Sequence, residues 1–553
     1  MYSSGESSST GGVPLMRAGW IVFFWVVALA IFVLLGALNL YWGELNQDEG
    51  WYLYAARRVS QGYLPYKDFA FTQGPVFPLV YARLHPLVDR CGVAGGRKIT
   101  AVLGFLASLS AAWLAGRAAR RGAGRVVGVL AFILISCNVY QSYFTTVVKT
   151  YSLTALLLVL GFVALSYARS RGGGSAAFLS GFLIALASGV RISAGAALPV
   201  VGVYLLINRK ALGDLRWIAF GVGGVVGLAG WALPFAILAP DGFRFAMLEY
   251  HTARSVGSLA NLLIYKAGFI SRFAQAFFVP MSLTLGVVLF RWMQPVAPAT
   301  SGQEDVPPQF SAVMWIAVAA VSLTHFLAPF PYEDYQVFVM PVLAAALAVS
   351  LSEVVLSVTG PVEERSSRWL LWLTVLVLLV STAAAFSSPI NQNWFVRGRD
   401  RIWWPFRTQS PVQQLSDVSA WIGKLSWLDR TLLTQDAYIA VQAGMDVPEG
   451  MEMGPFCYYP DMDTEKAKRL RVLNREMMIE LLRSVDAPVA AFSGYGLAIR
   501  GPEVMPLPVD EQKMLWSIIE ERYEPICDVE HFGQGDTTLR ILVRRRETGD
   551  LGR

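Results

Sequence analysis

Eleven apolar stretches, each close to the length that crosses a bilayer, punctuate the first 386 residues of this 553-residue chain and leave few fold classes open. They fall at Trp20–Tyr41, Ile99–Gly116, Val126–Tyr140, Tyr151–Tyr167, Ser175–Val190, Ile192–Asn208, Trp217–Ala239, Phe273–Phe290, Phe310–Leu327, Val337–Thr359 and Trp369–Phe386. A hydrocarbon core needs about 20 helical residues to span it, so the runs of 15 to 17 residues are short, and one or two are expected as broken or re-entrant helices. With 54% hydrophobic and only 16% charged residues, a soluble protein of this size is excluded. The first run is 22 residues long, carries no charge and follows a Ser/Gly-rich leader, which is too long for a cleaved signal peptide and reads as a retained anchor.

Charge orients the spans. The short connectors between the second and seventh runs carry nine basic residues on one side (Arg117, Arg120, Arg121, Arg125, Arg169, Arg171, Arg209, Lys210, Arg216) and two on the other (Lys149, Arg191). Lys/Arg-rich short loops stay in the cytoplasm. The expectation is a multi-pass plasma (inner) membrane protein with a cytoplasmic N-terminus, an outer-face loop over 42–98 and an extracytoplasmic C-terminal region. The net charge of +6 is dispersed in clusters between apolar runs, which suits lipid headgroups and gives no nucleic-acid signature. Four cysteines (Cys91, Cys137, Cys457, Cys527) form no CxxC or Cys/His cluster, and a Cys457–Cys527 bridge requires both to lie outside the cytosol.

Beyond residue 386 the composition changes to charges, turns and short apolar runs. Thr431–Thr434, Pro488–Phe492 and Leu539–Val543 read as strands, and Glu465–Ser484 and Asp510–Glu521 have helical periodicity. The fold class expected is therefore a polytopic α-helical membrane protein of about 11 transmembrane helices (1–386) with a C-terminal soluble α/β domain (387–553) in an accessory role. That region has no P-loop and no GxGxxG after its first strand. Pro295–Pro308 reads as a cytoplasmic linker.

Chemistry points to the loop after the first span, which opens on Asp48-Glu49 at the head of a helix over Asp48–Ser60. Carboxylates this close to a bilayer mark a surface site or cap a helix. The segment NQDEGWYLYAARRVSQGYLPYKDFAFTQGPVFPL, followed by hydrophobic helices and an outward tail, resembles the GT-C class of integral membrane glycosyltransferases. More narrowly, it is similar to the bacterial branch related to protein O-mannosyltransferases and the aminoarabinose transferase of lipid A. The resemblance is sharp over Asn46–Pro78, diffuse over the remaining spans to about Phe386, and architectural in the tail. It implies transfer of a hexosyl or pentosyl group from a polyprenyl-phosphate donor to a glycan, lipid or protein acceptor on the outer face, by inversion, with the first-loop aspartate as base.

The residues fit that reading on chemical grounds. Inversion needs one carboxylate to take the acceptor proton, while the lipid phosphate leaves as an anion and needs cations rather than an acid. Asp48 stands at headgroup level; its plain alternative is an N-cap. Glu49 is expected to support it. Donor-phosphate cations are expected among Arg191, Lys149, Arg254 and Lys67, against the alternative of snorkelling to headgroups. Substrate contacts are expected from His251 and from Glu333, Asp334 and Tyr335 in the turn PFPYEDYQ, with a structural polar contact and an exposed turn as the alternatives. The acidic residue that many relatives carry in the loop after the third helix, a metal ligand in some branches, is missing from NVYQSYFTTVVKTYS, where Lys149 stands instead. No metal and no other cofactor is expected. A transporter or flippase of lipid-linked sugars is the competing class; it would show internal repeats and mid-span charges, and neither is evident.

Overall fold

The computed structural model describes residues 15–120, 122–254, 258–294, 306–359, 363–386, 408–426 and 430–545. Each of the eleven apolar runs is helical, and the helices differ in length and straightness. Among the described residues seven helices are long and apolar enough to span a membrane: Gly19–Trp42, His85–Ala118, Gly173–Val190, Arg216–Leu238, Phe310–Leu327, Met340–Thr359 and Arg368–Ala385. Two further pairs are broken, Gly124–Ser136 with Val139–Thr146 at 75° and Leu259–Ala276 with Phe278–Met293 at 99°, which raises the number to at most nine. Tyr151–Leu165 and Ile192–Ile207 remain short.

The breaks meet each other. Asn138 leaves the helical region (φ −131°, ψ 117°), caps the next helix by accepting from the Gln141 N–H, and donates its amide to the Ala276 carbonyl at 2.9 Å. Backbone groups freed at depth must find protein partners because no water is there to take them. The side chain of one break supplies that partner to the other. Most of the expected linker over Pro295–Pro308 lies outside the described residues.

The first loop folds into the helix Gln47–Ser60, a turn at Tyr66 (φ 67°), a short helix Val76–Arg83, and the lead-in to His85–Ala118. That long helix kinks at Gly92 (φ 59°). Among the described residues of the C-terminal region six strands follow: β1 (Leu432–Leu433), β2 (Val489–Phe492), β3 (Ile499–Arg500), β4 (Met505–Pro506), β5 (Tyr523–Phe532) and β6 (Thr537–Arg544). Four make one sheet in the order β1-β2-β6-β5, with β1 parallel to β2 and the other pairs antiparallel; β3 and β4 pair separately. β1, β2 and β6 coincide with the expected strands to within a few residues. β5 is largely exposed and contains Pro525, so it shows no apolar alternation to read. The helix expected over Glu465–Ser484 divides where Arg471 turns left-handed (φ 59°) and Asn474 caps a new helix.

Packing joins this region to the first loop. Leu45, Trp51, Tyr52, Tyr54, Phe71 and Phe77 share a continuous buried cluster with Leu432, Tyr438, Ile439, Met453, Tyr458 and Phe492. Gly50 permits the contact, since a Cβ there would lie 2.4 Å from the Tyr438 backbone nitrogen. Cys457 and Cys527 are free thiols, the first buried and the second partly exposed.

Candidate functional site

A cavity of about 770 Å³ opens where the start of the helix Gln47–Ser60 meets the turns at residues 147–150, 191–193, 250–254 and 328–335 and the edge of the C-terminal region. Its construction begins with a cap. Asn46, extended at φ −118°, accepts from the Asp48 N–H, and the Glu49 carboxylate accepts from the Asn46 N–H, a reciprocal capping box. The sequence reading offered Asp48 as the cap; Asn46 takes that duty and leaves the Asp48 side chain to the cavity. There Asp48 accepts from the Trp51 indole at 3.1 Å and pairs with the Lys149 ammonium at 3.1 Å.

Glu49 goes elsewhere. It is fully buried in a two-pronged pair with Arg97, at 2.8 Å from Nε and 2.7 Å from Nη2, and it accepts from the Val148 N–H at 3.1 Å. Arg97, equally buried, spends its remaining N–H groups on the carbonyls of Asn39, Leu40, Gly43 and Glu44. Every lone pair and proton of this pair is used inside the protein, so Glu49 holds the loop to the bundle and does not line the cavity, contrary to its placement beside Asp48 in the sequence reading.

Lys149 sits between two carboxylates. Its Nζ is 2.9 Å from Asp334 and 3.1 Å from Asp48, and the Tyr151 hydroxyl donates to the same Asp334 oxygen at 2.8 Å. Burial pushes the ammonium's pKa down, but Asp334, Tyr151 and Asp48 outweigh it and hold it well above the usual lysine range. Glu333 is engaged by Arg272 at 2.8 Å. Two cations in the cavity are thus matched by acids.

Two are not. Arg191 ends the helix Gly173–Val190 in an extended conformation; its guanidinium lies 4.1 Å from the Tyr335 ring centroid and 5.1 Å from that of Tyr151 and donates to Thr150 at 3.3 Å. Arg254 donates to the Tyr250 hydroxyl at 3.0 Å. In both the Nε is buried without a hydrogen-bond partner, and neither pairs with a carboxylate among the described residues. His251, on the same wall, is pushed down to about 4 by burial and by Arg254 and Arg191, so it is a neutral imidazole at pH 7. Lys67 is exposed and lies outside the cavity, its carbonyl accepting from Arg471, while Asp68 caps its own turn by accepting from the Leu64 N–H.

The structure therefore brings Asp48, Lys149, Arg191, Arg254, His251, Glu333, Asp334 and Tyr335 to one cavity and sends Glu49 and Lys67 away from it. It adds Tyr151, Tyr250 and Arg272, which sequence reading had placed at span ends or passed over, and Phe456, Tyr495 and Gln534 from the C-terminal region. Gln534 accepts from the Gln47 N–H at 2.8 Å, one residue from Asp48. Among the described residues no cluster of three His, Cys, Asp or Glu side chains is arranged to hold a metal.

No protein-family model matches the chain, and no curated protein sequence does. Solved structures do. ArnT from Cupriavidus metallidurans bound to undecaprenyl phosphate aligns over 95% of this chain and 98% of its own, at 13% identity and a TM-score of 0.53. The apo state of that protein aligns over the same shares at 14% identity and a TM-score of 0.57. The archaeal oligosaccharyltransferase AglB from Archaeoglobus fulgidus, in complex with an inhibitory peptide and a dolichol-phosphate, aligns over 87% of this chain and 70% of its own at 12% identity and a TM-score of 0.50. The chain has the GT-C glycosyltransferase fold that the first loop led us to expect.

Proposed function

We propose that this protein is an integral membrane glycosyltransferase that moves a hexosyl or pentosyl group from a polyprenyl-phosphate carrier to a hydroxyl of a glycan, lipid or protein acceptor, with Asp48 as general base and inversion at the anomeric carbon. One observation carries the reading. A carboxylate shares a 770 Å³ cavity with two arginines, Arg191 and Arg254, that no described acid neutralises. That is a base beside a vacant anion site, built at the ends of apolar helices where a lipid-borne phosphate arrives. The lipid phosphates in the ArnT and AglB structures, which share this fold, support the same class of carrier.

In the reaction the acceptor oxygen forms its bond to the anomeric carbon as the bond from that carbon to the phosphate oxygen breaks. The electron pair stays on the phosphate, which leaves as the polyprenyl phosphate anion, and the acceptor proton passes to Asp48. Asp48 is held for this by the Trp51 indole, and the departing charge is met by Arg191, Arg254 and Lys149. The reading is metal-independent, and the ammonium of Lys149, standing between the carboxylates of Asp48 and Asp334, supports it by supplying the positive charge there. The distribution of Lys and Arg over the short connectors supports an outer-face site in the plasma membrane, with the N-terminus cytoplasmic and the C-terminal region outside. In this reading the chain divides at residue 386 and the C-terminal region has a supporting role, to which the presence of Tyr495 and Gln534 in the cavity lining lends support.

The experiment compares envelope glycans by mass spectrometry in a deletion strain carrying wild-type protein or Asp48→Asn. The variant is expected to fold and to lose the glycan, corresponding to a rate loss of at least about 100-fold. Glycan restored by Asp48→Asn at the wild-type level removes Asp48 as base and favours a flippase.

A further inference from the structure

We propose that the acceptor is a saccharide, and that Gln47 binds the hydroxyl next to the one that attacks. The proposal rests on the reading of Asp48 as base and names the substrate class of that same site. Asp436, in the C-terminal region, is then a positioning residue that acts through Gln47.

Three features carry it. The first is an orphaned acceptor. Gln47 lines the cavity one residue before Asp48 and is only 3% exposed, and its side-chain carbonyl oxygen, Oε1, is buried without a hydrogen-bond partner. Buried polar atoms are almost always satisfied, so one left open on a cavity wall calls for a ligand that donates.

The second is that this oxygen cannot change places with the amide nitrogen. Gln47 Nε2 donates to Asp436 Oδ1 at 2.7 Å and to the Tyr438 hydroxyl at 3.4 Å. Turning the amide over would set its carbonyl oxygen against a carboxylate oxygen, two acceptors with no proton between them. Asp436 is itself fixed, accepting from the Ser493 N–H and hydroxyl at 2.7 Å each and from the Tyr438 hydroxyl at 2.9 Å. Gln47 therefore offers the cavity an acceptor.

The third is the wall around it. Trp51, Phe456 and Tyr495 line the same cavity, and the rings of Trp51 and Phe456 meet edge-on at 6.3 Å between centroids. Gln534 ties this wall together, accepting from the Gln47 N–H at 2.8 Å and donating to the Tyr495 hydroxyl at 3.3 Å. Aromatic surface beside a few fixed polar atoms suits a sugar ring, which has an apolar face of C–H groups and a rim of hydroxyls.

Two successive residues thus answer two hydroxyls. On a sugar ring the first hydroxyl attacks the anomeric carbon of the donor and passes its proton to Asp48, while the hydroxyl on the adjoining carbon keeps its proton and donates to Gln47 Oε1. A Ser or Thr side chain, or a simple lipid alcohol, has no second hydroxyl there. It leaves the buried oxygen unpaired, which a site built around that oxygen disfavours. The C-terminal region, through Asp436, decides which end of the Gln47 amide the acceptor meets.

The test uses a deletion strain carrying full-length wild type, Asp48→Asn, Gln47→Met or Tyr495→Ala. The sugar that wild type restores and Asp48→Asn does not is mapped to its acceptor atom by linkage analysis and mass spectrometry, and its rate of appearance after induction is measured in each strain. Native mass spectrometry of each purified protein with undecaprenyl phosphate reports whether the donor side is intact. The expected acceptor atom is a ring hydroxyl with a free hydroxyl on the adjoining carbon. Gln47→Met is expected to slow transfer about tenfold, the effect of losing one hydrogen bond, with carrier binding unchanged. Tyr495→Ala, whose ring is half-buried and outside the Asp436 network, carries the same expectation if Gln47→Met does not fold. Attachment to a Ser or Thr hydroxyl, to a lipid alcohol, or to a ring hydroxyl without a free neighbour overturns the proposal. A wild-type rate in folded Gln47→Met overturns it too, as does a loss of carrier binding that matches the loss of transfer. Transfer restored by Asp48→Asn, or a wild type that does not bind undecaprenyl phosphate, overturns the underlying reading of the site instead.

Discussion

Asp48 and Glu49 are neighbours in sequence with opposite fates, and helical geometry explains why. Successive residues on a helix point about 100° apart, so one carboxylate turns to the cavity as the next turns to Arg97. The acidic pair was legible as carboxylates at the head of a helix; which member faces the cavity was not, because Arg97 lies 48 residues away and no local pattern announces the pairing. Arg191 stands between two apolar runs without an acidic neighbour in the sequence, and it lacks a carboxylate partner among the described residues. Removing it should weaken carrier binding: Arg191→Ala is expected to raise the dissociation constant for undecaprenyl phosphate by about 10- to 100-fold, the range for losing charge-assisted hydrogen bonds. Asp48→Asn should leave that constant within a few-fold of wild type. Equal affinity in Arg191→Ala and wild type takes Arg191 out of the phosphate site.

The helix Gln47–Ser60 works as an element with three duties. Its first turn presents Asp48, Glu49 bolts it to the bundle, and the side carrying Gly50 lies against the backbone at Ala437–Tyr438. The sequence located this helix to within one residue but gave no hint that it is sandwiched, since contact with residues nearly 400 positions later leaves no periodicity of its own. A Cβ at Gly50 would sit 2.4 Å from the Tyr438 nitrogen, so Gly50→Val has to push the C-terminal region off the helix. The expected cost is about 1–3 kcal/mol, seen as a lower unfolding temperature and faster proteolysis after residue 408. Unchanged protease resistance would show that the contact is not structural. The broken helices follow the same logic: the sequence showed short apolar runs, and only the meeting of Asn138 with the Ala276 carbonyl shows how backbone interrupted at depth is satisfied.

At the scale of the molecule, the C-terminal region is less separate than its composition suggests. Its strands and helices share one buried cluster with the first loop, and a chain of hydrogen bonds runs from Ser493 through Asp436 to Gln47, at 2.7 Å each. Asp436 is fully buried and all its described partners are neutral donors, so it fixes this junction sharply. The region from residue 408 onward, expressed without the rest, should therefore expose the faces of Ala437, Tyr438 and Met453 and bind a hydrophobic dye strongly. A fragment that melts cooperatively and binds no dye would restore the picture of an independent domain.

What the sequence determined by itself is the solvent of each segment. Transfer of apolar surface out of water is nearly additive along the chain, so runs such as Trp20–Tyr41 and Val337–Thr359 declare their environment locally. The same locality made the helix after the first span and three of the strands readable. What only the tertiary structure decided is the pairing of charges: Lys149 with both Asp48 and Asp334, Glu49 with Arg97, Arg272 with Glu333. Coulomb energy depends on distance in space and on burial, and neither is a property of position in the chain. After that pairing, Arg191 and Arg254 line the cavity without a carboxylate partner among the described residues.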